Sequence, residues 1–291
     1  MTLEHRSVEV GGLDFAYLTA GPADGPLALC LHGFPDTAQT YRYLLPELAG
    51  AGFRAVAPFS RGYAPTSVPE DDLYQTAALA RDANALHQAL GADGRAVIVG
   101  HDWGAQAAHG AAVIAPERWS RVVTMAVPVG PALAGGFLSY DQIKRSFYIY
   151  FFQNPLADFV VGADNLAFIG QLWQDWSPGY DASADLEHVR ESLGSPENLA
   201  AALGYYRALF DPGRQAPAMA SEQAAVGGVP SQPTLYLHGD QDGCIGVGMA
   251  ERVRDFLAAG SEVVVIEGAG HFLHLERPAE VNPRIVNFVT S

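Results

Sequence analysis

Short apolar segments recur along this chain, each bounded by turn residues and each followed by a stretch of helical periodicity. Pro26–Leu31, Arg54–Ala57, Arg95–Val99 and Val122–Val127 are four such runs. A strand covered on both faces shows a continuous apolar run instead of an alternation, so these read as buried strands. Leu13–Ala20 is a further strand, ending in the turn Gly21-Pro22-Ala23-Asp24-Gly25. Tyr41–Ala49, Tyr74–Leu90 and Ala105–Ile114 read as helices; the second carries Leu79, Ala83, Leu86 and Leu90 on one stripe. Parallel strands need long crossovers, and helices supply them. The alternation therefore predicts an α/β fold: a mostly parallel central sheet flanked by helices.

The pattern then breaks. From about Gly130 to Val229 there are helical stretches and aromatic residues but no convincing strand. Phe147–Phe152 is six bulky residues, five of them aromatic, and Trp173 and Trp176 follow. Ala216–Gly228 is small and polar and reads as an exposed linker. The first pattern resumes with strand Thr234–Leu237, helix Met249–Ala259, strand Glu262–Ile266 and helix Val281–Val289. The expected organisation is a core interrupted by a helical cap: residues 1–132 as the first part of the core, 133–228 as the cap, 229–291 as the second part of the core.

Charge narrows the partners. Seventeen Lys and Arg against 32 Asp and Glu leave a net charge of −15. Such a surface repels phosphate backbones and anionic head groups, so no nucleic acid and no membrane partner is expected. Two cysteines, Cys30 and Cys244, make neither a disulfide framework nor a metal cluster. With no leader-like start and no apolar stretch of membrane-spanning length, the expectation is a cytoplasmic protein with no metal. A homodimer is left open.

The chemistry centres on Gly100-His101-Asp102-Trp103-Gly104, which lies between a buried strand and a helix. This is the G-x-S-x-G elbow with Asp in place of Ser. Glycines are needed there because side chains would clash in a sharp strand-to-helix turn, and the turn lifts the middle side chain clear of the sheet. The string alone is weak. Its setting between strand and helix strengthens it.

Taken with four further segments, the chain resembles the α/β-hydrolase superfamily, and within it the epoxide hydrolase family. Leu31-His32-Gly33-Phe34-Pro35-Asp36 resembles the family's H-G-x-P loop, and Arg61-Gly62-Tyr63 its R-G-Y segment, with Ala64 in place of the usual final Gly. Leu237-His238-Gly239-Asp240-Gln241-Asp242 resembles the acid loop, and Gly268-Ala269-Gly270-His271-Phe272 the histidine loop. The likeness runs from about Gly21 to Val289 and gives the order nucleophile, acid, base: Asp102, Asp242, His271. Asp240 competes for the acid role and His274 for the base. The stretch Arg121–Tyr140 contains no carboxylate, which removes an acid placed after the strand Val122–Val127.

An aspartate nucleophile suits attack at saturated carbon bearing a good leaving group. It forms an alkyl ester, which water then cleaves at the carbonyl of Asp102 itself. His271, oriented by Asp242, would activate that water. The resemblance implies that the backbone N–H groups of Phe34 and Trp103 form the oxyanion hole. An epoxide oxygen becomes an alkoxide and needs a protonated donor, and Tyr remains protonated at neutral pH. Ser146–Pro155 and Leu203–Arg207 resemble the family's two lid segments and point to Tyr148 and Tyr206, with Tyr150 and Tyr205 as the alternative registers. His32, Pro35, Trp173 and Trp176 are read as substrate-binding.

These features imply a cofactor-independent hydrolase that opens a small neutral epoxide, with water, to a vicinal diol. Haloalkane dehalogenase is the alternative, because it shares the Asp102-Trp103 pair. It often has Asn at the position of Phe34, and Phe34 cannot bind halide that way. Fluoroacetate dehalogenases carry Arg after the nucleophile, whereas Trp103, Ala105 and Gln106 stand here. A non-catalytic binding protein of the same fold is the remote alternative.

Overall fold

The computed structural model describes residues 2–291. Eight strands form one sheet: β1 Glu4–Val10, β2 Leu13–Ala20, β3 Leu27–Leu31, β4 Arg54–Pro58, β5 Ala96–His101, β6 Trp119–Met125, β7 Thr234–Gly239 and β8 Glu262–Ile266. The spatial order is β1-β2-β4-β3-β5-β6-β7-β8. β2 pairs antiparallel with both β1 and β4, and every other neighbouring pair is parallel. β3, β5 and β7 are buried along their whole length, as their unbroken apolar character requires.

Strand β1 was not expected from the sequence. Its residues, Glu-His-Arg-Ser-Val-Glu-Val, are mostly exposed, so no hydrophobic pattern marks it. The turn that makes it is Gly11-Gly12, both at positive φ (60° and 83°), the conformation a two-residue hairpin demands.

The core helices are α1 Leu44–Gly50, α2 Thr76–Ala89 and α3 Trp103–Ile114. β6 ends at Met125 and β7 begins at Thr234, and only helices and turns lie between them. These helices are α4 Gly130–Gly136, α5 Tyr140–Arg145, α6 Phe147–Phe151, α7 Ala157–Gly162, α8 Ala167–Trp176, α9 Ser183–Leu193, α10 Pro196–Phe210 and α11 Ala220–Ala225. The chain finishes with α12 Ala250–Val253, α13 Leu273–Glu276 and α14 Pro278–Thr290. α1 packs on α14 and α2 on α3, flanking the sheet.

Two expectations need correction. Ala216–Gly228 is not an open linker. It contains α11, and Gln223 Oε1 accepts the Ala77 N–H at 2.9 Å while Glu222 pairs with Arg81, so it is fastened to α2. The helix expected over Met249–Ala259 shrinks to α12, and the chain turns at Arg254. Among the described residues no helix is long and apolar enough to cross a membrane.

Candidate active site

Asp102 stands at the break between β5 and α3 with φ 53° and ψ −120°, a strained conformation for a residue with a side chain. The flanking glycines are obligatory. A Cβ on Gly100 would lie 2.1 Å from the Gly104 carbonyl oxygen, and one on Gly104 would lie 1.9 Å from that of Leu31. The H-G-x-P loop closes on the same point. Phe34-Pro35 is a cis peptide, and the Phe34 N–H donates to Asp102 Oδ1 at 2.8 Å. A Cβ on Gly33 would lie 2.3 Å from that oxygen and 2.6 Å from the Trp103 nitrogen, so Gly33 leaves the space both need. The Trp103 N–H makes no bond to the carboxylate in this state, although it borders the same position.

His271 lies between two carboxylates. Its Nδ1 is 2.9 Å from Asp242 Oδ2, and its Nε2 is 3.6 Å from Asp102 Oδ2. Asp242 is fixed in turn: its Oδ1 accepts the backbone N–H groups of Cys244 at 2.7 Å and Ile245 at 2.9 Å. The carbonyl of Trp176, at the end of α8, accepts the N–H of Gly243 at 3.1 Å and that of His271 at 2.9 Å, tying the acid and histidine loops to one cap residue. The competitors sit elsewhere. Asp240 accepts the Gly268 N–H, and His274 is bonded through Nε2 to Thr40 Oγ1 at 2.6 Å and stacked on Tyr41.

Electrostatics follow from this arrangement. Burial works against charge on His271, but Asp242 and Asp102 outweigh it and raise its pKa to about 10. Burial likewise opposes the charge of Asp102. The attraction of His271, 3.6 Å away, helped by the Phe34 N–H, prevails and holds Asp102 below the usual carboxylate range. Asp242 is lowered for the same reason, through His271.

Tyr148 and Tyr206 border a cavity of about 280 Å³ together with Asp102 and Trp103. Their rings meet edge to face at 5.5 Å. Burial, and after it neighbouring acidic groups, pushes both phenols well above their ordinary pKa, so both keep their protons. The Tyr148 hydroxyl lies 3.3 Å from Cys244 Sγ, and the Tyr206 hydroxyl is buried without a partner. The alternative registers point away. Tyr205 donates to the Arg61 carbonyl, and Tyr150 is 40% exposed and stacked on Phe210. Leu133, Phe137, Ile149, Leu209 and Phe210 give the cavity apolar walls, and Gln106 is its one uncharged polar side chain besides the tyrosines.

The four residues read as substrate-binding do not line this cavity. His32 donates to the Gly33 carbonyl through Nδ1 and accepts the Ser60 N–H at Nε2, so both its nitrogens are engaged in holding the loop. The Pro35 carbonyl accepts the Trp173 indole N–H at 2.9 Å, and Trp173 stacks on Phe272 at 3.5 Å. Trp176 packs between Tyr148 and His271. These are supports beneath the site.

Sequence reasoning missed the cavity walls, Cys244 and a polar cluster behind His271. His101 Nε2–H donates to the His271 carbonyl at 2.9 Å, which leaves His101 Nδ1 as a lone pair. That atom, His274 Nδ1 and Asp36 Oδ2 are all buried without partners, and potential ligand atoms of the three residues lie within 4.8 Å of one another. Burial raises the Asp36 carboxyl to about 7, and burial keeps both histidines neutral. The occurrence of His101 beside the nucleophile and Asp36 after Pro35 was visible in the sequence, but their convergence was not.

The family profile described as alpha/beta hydrolase fold matches residues 26–278. Epoxide hydrolase A of Mycobacterium tuberculosis is 30% identical, over 98% of this chain and 97% of its own. Epoxide hydrolase 3 of Xenopus tropicalis is 30% identical, over 96% of this chain and 75% of its own. Among solved structures, epoxide hydrolase A from Mycobacterium thermoresistibile superposes with a TM-score of 0.80 at 28% identity, covering 100% of this chain and 99% of that one.

Proposed function

This chain belongs to the α/β-hydrolase fold family and, within it, to the epoxide hydrolases, and from that premise we propose that it opens a small neutral epoxide through an ester on Asp102. It is a hydrolase acting on epoxides. The observation that carries the finer reading is the position of Asp102. One of its oxygens faces His271 Nε2, and its side chain borders the cavity that Tyr148 and Tyr206 also line.

In this mechanism Oδ2 is the attacking atom, since Oδ1 is held by the Phe34 N–H. Oδ2 bonds to an epoxide carbon, the carbon–oxygen bond of the ring breaks, and the alkoxide takes a proton from Tyr148 or Tyr206. The proton that His271 holds in the resting state replaces the one lost from tyrosine. Esterification also removes the charge of Asp102, one of the two carboxylates that hold the proton on His271. The imidazole is thus released as a base when water must be activated. Water adds to the ester carbonyl, the oxygen of that carbonyl is Oδ1, and the Phe34 N–H already points at it. Collapse frees the diol and restores the carboxylate. In the same reading the helices of residues 133–228 act as the cap, bringing Tyr148 and Tyr206 over the core.

The halide alternative gains no support from the lid tryptophans. The indole N–H of Trp173 is engaged with Pro35, and neither Trp173 nor Trp176 lines the cavity. The test is twofold. The protein should yield diol from a panel of terminal, internal, aromatic and aliphatic epoxides, and His271→Gln should accumulate a covalent adduct seen as a mass increase on intact protein. Halide release from haloalkanes without any diol would overturn the epoxide reading. A folded His271→Gln protein with no adduct would overturn the ester.

A further inference from the structure

Cys244 has no part in the mechanism above, yet it faces the reacting atoms. Potential ligand atoms of Asp102, His271 and Cys244 lie within 4.8 Å of one another, and all three residues are buried. His271 Nε2 has no hydrogen-bond partner, while its Nδ1 is fixed by Asp242. Proteins present a histidine to a metal in this way, with the second ring nitrogen donating to a carboxylate. Asp102 Oδ2 lies 3.6 Å from Nε2 and takes no backbone N–H. The thiol is within hydrogen-bonding distance of the Tyr148 hydroxyl, at 3.3 Å.

We propose that Asp102, His271 and Cys244 form an inhibitory site for one thiophilic divalent cation, such as Zn²⁺ or Cd²⁺. A sulfur, a nitrogen and an oxygen are the donors such ions take, with water completing a tetrahedron. Bond lengths of about 2.0–2.3 Å place tetrahedral donors roughly 3.5 Å apart, so the side chains need to close by about an ångström. On binding, the S–H bond of Cys244 and the Nε2–H bond of the His271 imidazolium break, the sulfur–metal and nitrogen–metal bonds form, and both protons leave to solvent. One thiolate and one carboxylate then neutralise the dication, so the metal and its three ligands together carry no net charge. Mg²⁺ asks for an octahedral oxygen shell with several waters and finds no such set here. The cavity beside Asp102 reaches the surface at Phe210, which is 49% exposed, and gives the ion a path. Occupation would withhold both the attacking oxygen and the base nitrogen. The inhibition therefore rests on the catalytic reading of Asp102 and His271, whereas the binding does not.

The experiment is a titration of the chelator-stripped, full-length protein with Cd²⁺, followed by the ultraviolet thiolate-to-cadmium absorption. Wild type and Cys30→Ala should each show the band with one equivalent bound. Cys244→Ala and Cys244→Ser should lack it, and His271→Gln should bind at least tenfold more weakly. In parallel, Zn²⁺ but not Mg²⁺ should suppress diol formation, a chelator should restore it, and whatever rate Cys244→Ala retains should resist Zn²⁺. No band in wild type, an undiminished band in Cys244→Ala, or unchanged affinity in His271→Gln would overturn the site. Because the band is read without substrate, a protein that binds Cd²⁺ but makes no diol would contradict the enzymatic reading and leave the cation site standing.

Discussion

His271 Nε2 lies 3.6 Å from Asp102 Oδ2, while the opposite nitrogen of the same ring lies 2.9 Å from Asp242 Oδ2. One imidazole thus answers to two buried carboxylates, and only one of them would be consumed in forming an ester. The charge on the ring then depends on the state of Asp102.

Asp102→Asn imitates that loss of charge without the ester. It should bring the His271 pKa down from about 10 towards or below its ordinary value, as read by NMR of the ring protons across pH. The same raised pKa is a stability statement. Its contribution is fully present below about 6.5 and disappears as pH rises through about 10. The thermal midpoint of wild type should fall over that window, and Asp102→Asn should flatten the fall. An unchanged His271 titration in the variant would remove the proposed coupling.

Asp36 gives a stability profile of the same sign in a lower pH window. Burial raises its carboxyl from 3.8 to about 7, against the opposing hydrogen bonds of Thr40 and Thr37. The folded state therefore binds more protons than the unfolded state between these values, and stability is lost as pH rises through them. Asp36→Asn keeps the neutral form at every pH, and its amide can donate to the lone pair left on His101 Nδ1. Its midpoint should exceed that of wild type at about pH 9 and the gain should shrink by about pH 5. A gain that grows towards low pH would contradict the assignment.

Tyr148→Phe and Tyr206→Phe should each slow ester formation by roughly 10²-fold, the usual cost of losing one preorganised donor, and the double variant by more. The two differ in their effect on folding. The Tyr206 hydroxyl is buried without a partner, so removing it should leave stability unchanged or raise it. Removing the Tyr148 hydroxyl forfeits its contact with Cys244. Single-turnover kinetics with thermal melts separate these effects, and a Tyr206→Phe protein of full activity would strike Tyr206 from the mechanism.

The parts of the site that were legible in the sequence are those where backbone geometry restricts residue type. Gly100 and Gly104 flank Asp102 because a Cβ at either would collide with a carbonyl, and Gly33 is required by the approach of the carboxylate. Such positions leave a mark in the sequence whatever surrounds them. The parallel strands were legible because burial on both faces forces an apolar run. Strand β1 was not, since its exposed residues bear no pattern and only Gly11-Gly12 betrays it. Trp173 and His32 were assigned to the substrate because an aromatic or a histidine near a motif gives no sign of whether its nitrogen is already engaged. That is decided by Pro35 and Ser60, distant or unremarkable in sequence. Cys244 and the Asp36–His101–His274 cluster were invisible for the same reason, as convergence of side chains across loops has no local signature.

The central claim is that the oxygen added to the epoxide comes first from Asp102. A single turnover in heavy-oxygen water, with enzyme in excess, tests it most directly. The account predicts that the first diol carries unlabelled enzyme oxygen and that the label is found, by peptide mass analysis, in the carboxylate of Asp102. Label in that first diol, with Asp102 unlabelled, would contradict it.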